Sequence, residues 1–174
     1  MVILGINGDG RQPGIVLMPT EGVLKTVPGA VNDTTGVGYR SRFDHAEEVA
    51  IPGYYAVDLR DYGIHAELTA TPRVAFQRYT FPASEESHIL FDIGNRQGES
   101  GATVDAEVRL TEEGLVEGWV ITEPEYVKKY EPGSQVPLYF SAQLDKQPTG
   151  YGTFHGEQVE AGQSVATGVG AGLY

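Results

Sequence analysis

Asp44, His45, Glu47 and Glu48 fall within five consecutive positions. One imidazole and three carboxylates at that spacing could hold a cation or orient a hydroxyl. The spacing matches no strict metal motif, and a solvated acidic loop would read the same way. Asn7-Gly8-Asp9-Gly10 is a second polar turn. Its glycines permit positive φ and close approach of backbone to a ligand, so it suits either a wall of a sugar site or an ordinary turn. Asp58 and Asp61 flank Leu59-Arg60. Two carboxylates are the minimum for glycoside hydrolysis, but Asp61 equally suits the polar start of a turn. Arg73 and Arg78 share one strand pattern with Gln77 and Tyr79, and an inward arginine there could pair with a carboxylate such as Glu67. His65, His88 and His155 are isolated and read as surface or turn residues. Trp119, the only tryptophan, is expected in the core, and Tyr54, Tyr55, Tyr62 and Tyr79 at the edge of a sheet. There is no Gly-x-Ser-x-Gly elbow, phosphate loop, dinucleotide fingerprint, His-Glu-x-x-His or EF-hand loop. No catalytic residue and no metal ligand is therefore assigned from the residues themselves.

These groups are carried by period-two patterns, which mark strands with one buried and one wetter face. Ile64, Ala66, Leu68 and Ala70 alternate with His65, Glu67, Thr69 and Thr71. Val104 to Leu110 and Val136 to Leu144 alternate in the same way. Shorter candidates are Gly14–Met18, Tyr54–Leu59, Val74–Phe81, Ile89–Ile93, Leu115–Ile121 and Tyr151–His155. Turn signals separate them, including Asp61-Tyr62-Gly63 and Glu131-Pro132-Gly133, and Thr111 to Gly114 suits a hairpin. Glu123–Tyr130 is the one short helix, starting at Pro124. About nine or ten short strands with little helix predict an all-β antiparallel sandwich or barrel. Gly22–Ser41, rich in Gly, Pro and Thr, is the expected long loop.

The bulk numbers agree. A length of 174 residues suits a single domain. Gly 23 and Pro 10 exceed their usual combined share of about 12%, as a turn-rich chain requires. With no cysteine, disulfides, thiolate zinc sites and cysteine nucleophiles are excluded. A net charge of −12 repels polyanions, so no nucleic-acid partner is expected, whereas neutral sugars or cations are compatible. No apolar run approaches the about 18 residues of a membrane-spanning helix, so no membrane partner is expected. MVILGINGDG lacks the basic and apolar regions of a signal peptide and reads as a strand entered in its middle. VATGVGAGLY stops in apolar residues. Both ends read as cuts in a longer protein.

The block Phe43-Asp44-His45-Ala46-Glu47-Glu48, followed by Ala50-Ile51-Pro52-Gly53-Tyr54-Tyr55-Ala56-Val57, resembles the signature of family 92 glycoside hydrolases. The likeness continues through Leu59-Arg60-Asp61-Tyr62-Gly63-Ile64, Ala66-Glu67-Leu68-Thr69-Ala70-Thr71 and Arg78-Tyr79-Thr80-Phe81-Pro82. Leu17-Met18-Pro19-Thr20-Glu21-Gly22, Pro137-Leu138-Tyr139-Phe140 and Gly170-Ala171-Gly172-Leu173-Tyr174 extend it, in the family's order, over nearly the whole chain. The resemblance implies an N-terminal β-sandwich from a calcium-dependent, inverting exo-α-mannosidase, mostly bacterial and secreted, acting on α-mannoside glycans with α-1,2 linkage. It implies that residues 1–174 are one sandwich domain lacking an upstream segment and a downstream (α/α) toroid. The toroid would supply the acid, the base and most calcium ligands, so this chain alone is expected to be inactive. It implies an extracellular or periplasmic location. His45 and Glu48 match the family's loop pattern and are expected at the sugar pocket or the domain junction. Asn7 and Asp9 stand where the family has a Ser-Gly-Thr-Gly-like turn, and are carried as sugar-binding candidates. Gln77 departs from the family's usual histidine. Two rival readings are a stand-alone carbohydrate-binding module and a purely structural sandwich.

Overall fold

The computed structural model describes residues 4–5, 15–30, 35–94 and 101–174. Among them the strands are β1 (Leu4–Gly5), β2 (Val16–Glu21), β3 (Val49–Ile51), β4 (Tyr54–Leu59), β5 (Ile64–Ala70), β6 (Ala75–Thr80) and β7 (Ser87–Asp92). The second half holds β8 (Ala102–Leu110), β9 (Leu115–Glu123), the helix α1 (Glu125–Lys128), β10 (Val136–Gln143), β11 (Gly152–His155), β12 (Gln158–Ala161), β13 (Val165–Thr167) and β14 (Ala171–Leu173). They form an all-β sandwich of three sheets, ordered β1-β2-β7-β14-β11-β12, β10-β9-β8-β13 and β3-β4-β5-β6.

The strands legible in the sequence are the longer ones: β4 matches its reading to the residue, and β5, β8, β9 and β10 match to within two residues. The count rises above nine or ten because β3, β12, β13 and β14 run for only three or four residues, too short to show a period. The helix is also shorter than its pattern, and Pro124 is its N-cap, at φ −62 and ψ 137. No strand forms among the described residues from Gly22 to Arg40, as the loop composition required.

The chain divides into two compact units, Met1–Leu4 with Met18–Ile89, and Gly5–Leu17 with Leu90–Tyr174. In the first, β3-β4-β5-β6 has two chemically different faces. Val57, Leu59, Ile64 and Ala66 are buried on one. Antiparallel register places Asp58 opposite His65 and Glu67 opposite Arg78 on the other. Positive φ is required at the β4–β5 turn and is met by Gly63, at φ 64.

The second unit is built on β8 and β9, joined by the expected four-residue hairpin. Gly114 N–H donates to the Thr111 carbonyl at 3.0 Å, and Gly114 takes φ 81. Ala106, Val108, Val116 and Val120 are buried on one face. Val104, in phase with them in the sequence, is exposed because a bulge between Thr103 and Asp105 breaks the alternation. Trp119 is half-buried, not a core residue: it lies in phase with Glu117, opposite to Val116 and Val120. Gly118 falls on the inner face, directly opposite Phe140. A Cβ there would strike the Glu107 carbonyl oxygen and the Phe140 ring.

Candidate functional site

Residues 41–48 run into β3, and a set of long-range bonds ties them to the β4–β5 turn. Ser41 is fully buried, and its Oγ accepts from the Asp61 backbone N–H at 3.1 Å. Arg42 grips the Asp61 carboxylate through its own backbone N–H and Nε, each at 2.7 Å. The Arg42 carbonyl in turn accepts from the Arg60 N–H at 2.9 Å. Beneath them the buried Tyr62 hydroxyl donates to the Tyr39 carbonyl at 2.9 Å.

The acidic cluster then sorts into two groups. Arg60 takes the first: its Nη2 donates to Asp44 Oδ2 at 3.0 Å and to Glu47 Oε2 at 2.9 Å. The backbone N–H of Ala46 donates to Asp44 Oδ1, and this bond, then the Arg60 charge, holds the Asp44 carboxyl below its usual range. His45 and Glu48 make the second group. His45 Nδ1 lies 2.7 Å from Glu48 Oε2, and the Tyr55 hydroxyl donates to Glu48 Oε1 at 2.6 Å. The Phe43 ring meets the imidazole edge-on at 4.8 Å. The Tyr55 bond, then the His45 bond, lower the Glu48 carboxyl against the opposing cost of desolvation. Burial, then the bond to Glu48, raises the Tyr55 phenol.

An ionised Glu48 that accepts from Nδ1–H fixes the tautomer and leaves Nε2 as the ring nitrogen available to a ligand. The His45 side chain is 83% exposed while Glu48 is 21% exposed, so the carboxylate is the anchor and the imidazole the presented group. Such a pair can orient a hydroxyl. It does not match calcium, which takes about six to eight oxygen ligands: Asp44 and Glu47 are held by Arg60, and Glu48 by His45 and Tyr55. Among the described residues no three His, Asp or Glu side chains are grouped to hold a metal ion.

The remaining candidates separate. Asn7 and Asp9 lie outside the described residues. Asp58 pairs with His65 Nδ1 at 2.6 Å, so His65 has a cross-strand partner that linear spacing concealed. Arg78 does pair with Glu67, through Nε at 2.6 Å and Nη2 at 2.7 Å, and Tyr54 donates to the same carboxylate at 2.8 Å. The pair stands on the outward face, and Arg78 itself is exposed. The Arg78 bonds, then that of Tyr54, lower Glu67 to about 2. His88 bonds the Gly22 carbonyl at 3.0 Å, and His155 that of Thr167 at 2.6 Å. Sequence reasoning missed Arg60 and Tyr55 as organisers of the cluster. The available signal was that Tyr55 lies near the start of the Tyr54–Leu59 strand pattern and Arg60 directly follows its end.

The model for the glycosyl hydrolase family 92 N-terminal domain matches residues 4–174. No curated protein matches the chain. Among solved structures, a family GH92 α-mannosidase from Bacteroides thetaiotaomicron superposes with TM-score 0.79 at 26% identity, covering 91% of this chain and 21% of that one. The same enzyme in complex with mannoimidazole gives 0.78 at 26% identity, covering 91% and 20%. A family GH92 inverting mannosidase from Bacteroides thetaiotaomicron VPI-5482 gives 0.64 at 20% identity over 92% and 19%, a likeness of fold alone. The chain thus spans about a fifth of the length of these structures.

Proposed function

Since the chain belongs to the N-terminal domain family of glycosyl hydrolase family 92, we propose that it is the sandwich portion of an enzyme that removes α-linked mannose. The match over residues 4–174 carries this reading, supported by the likeness at 26% identity to an α-mannosidase. The acid and base lie in a C-terminal catalytic domain outside this chain. The reaction is a single displacement with inversion: an acid protonates the glycosidic oxygen while a base activates water, the two held about 6.5–9.5 Å apart. The linkage cleaved is α-1,2, the enzyme acts outside the cytoplasm, and calcium supports the full-length enzyme through ligands other than the residues described above. No described helix is long and apolar enough to cross a membrane.

This chain's own contribution is His45. Glu48 and Tyr55 fix the imidazole, and its free Nε2 accepts from or donates to a sugar hydroxyl. Asn7 and Asp9 are proposed as further sugar contacts. The test is turnover of α-1,2-mannobiose by the full-length enzyme, with the anomer released followed by proton NMR. We expect release of β-mannose, no turnover by the 174-residue chain alone, and a raised KM in His45→Ala. Turnover by the isolated chain, or an unchanged KM in a folded His45→Ala enzyme, would refute the corresponding part.

A further inference from the structure

The outward face of β8, β9 and β10 carries aromatic side chains that the His45 group does not involve. Antiparallel register sets Glu107, Trp119 and Tyr139 opposite one another in a single cross-strand row. The neighbouring row sets Arg109 opposite Glu117. These five side chains, with Gly118 and Phe140, line an open cavity of about 280 Å³. Tyr139 is 74% exposed, and Trp119 is half-buried beside it. Arg109 donates to Glu117 at 3.0 Å and lies 3.7 Å from Glu107.

The chemistry of this cavity selects its ligand. An anion would compete with two carboxylates for one guanidinium, on a chain of net charge −12. A cation would meet Arg109 between those carboxylates. A neutral polyhydroxylated ring meets neither obstacle. Its slightly positive C–H face lies on the negative faces of the aromatic rings. Its hydroxyls donate to the spare lone pairs of Glu107 and Glu117 and accept from the remaining N–H groups of Arg109. Strand-mounted aromatics lose little conformational freedom on binding, so weak stacking is not cancelled by ordering. Small-molecule sites start near about 300 Å³, so the cavity suits one ring and not an extended chain.

We propose that Trp119 and Tyr139, rimmed by Glu107, Arg109 and Glu117, form a carbohydrate-binding subsite for a single neutral hexopyranose. The subsite uses no residue of the His45–Glu48 group, so it stands or falls independently of that group's role.

Trp119 is the only tryptophan in the chain, so its fluorescence reports on this cavity alone. The purified chain is titrated with methyl α-mannopyranoside, methyl α-glucopyranoside and methyl α-galactopyranoside. At least one is expected to shift the emission saturably, in the millimolar range. Tyr139→Ala, at an exposed position that leaves the core intact, weakens that binding about tenfold, the loss of one stacking partner. Tyr139→Phe keeps the ring and retains binding. Circular dichroism confirms that both variants fold. An emission unaffected by all three sugars overturns the proposal, as does an equal response in Tyr139→Ala. Emission that changes with protein concentration alone would show a second copy covering the face, and a response to a proline-rich peptide but to no sugar would show a peptide groove; either overturns it. Inactivity of the full-length enzyme would count against the proposed function without touching this result.

Discussion

Replacing Tyr62 by phenylalanine removes one oxygen from beneath the loop that presents His45. The hydroxyl donates to the Tyr39 carbonyl at 2.9 Å, and Tyr62 is 7% exposed over a fully buried Tyr39. Burial pushes the phenol up to about 12, so it is a neutral donor across the working pH range. Tyr62→Phe keeps the ring, its buried area and the Lys25 ammonium 5.9 Å from the ring centre. The difference is therefore one buried hydrogen bond, whose net worth plus the desolvation left on its acceptor comes to about 1–2 kcal/mol. For a chain of this size each kcal/mol moves Tm by about 2–4 °C, so the melting temperature should fall by about 2–8 °C. Thermal unfolding at pH 7 and urea titration read this directly, with the midpoint moving and the slope unchanged. Exchange of the Ala46 and Glu47 amides, both bonded to Asp44, should also quicken as the loop loosens. A Tm within about 1 °C of the parent would refute the claim that this bond anchors residues 39–48.

Tyr55→Phe removes the largest cause lowering the Glu48 carboxyl from 4.5. A depressed carboxyl stabilises the fold above its unfolded value, and that stability is lost as pH falls through the folded value. The Tm gap between parent and variant should accordingly be widest near neutrality and close below pH 4.5; a gap independent of pH would count against the bond. Arg78→Met should return Glu67 from about 2 toward 4.5, so the variant is less stable at neutral pH and its stability changes less between those two values in an acid titration followed by circular dichroism. Gly118→Ala drives a methyl into the Glu107 carbonyl oxygen and the Phe140 ring, and should cost about 1–3 kcal/mol in urea unfolding, whereas a neutral result would mean that β8 and β9 can move apart.

The strands were legible wherever residues alternated long enough for one face to need a core. Tyr54–Leu59 emerged at its read boundaries, and the pattern from Ile64 to Thr71 emerged one residue shorter, because strand period is a property of the local chain. The short strands β12, β13 and β14 were not legible, since they exist only because a neighbour supplies their hydrogen-bond partners. Val104 and Trp119 show the same limit within a good strand. A bulge flips the first outward, and the phase of Trp119 with Glu117, readable but outweighed by its size and apolarity, sets it on the outer face.

The site divides along the same line. Residue types and order already singled out Asp44, His45, Glu47 and Glu48, and an ordered resemblance identified the domain family to which they belong. Which of them are free to meet a ligand depends on partners 13 or 16 residues away, brought close by the β3–β4 reversal: Arg60 claims Asp44 and Glu47. Tyr55, seven residues on, reaches Glu48 across the β3–β4 hairpin and leaves His45 presented. Charge and hydrogen-bonding capacity are written into the residues, but their pairing depends on distance in space, and chain reversal is what sets that distance.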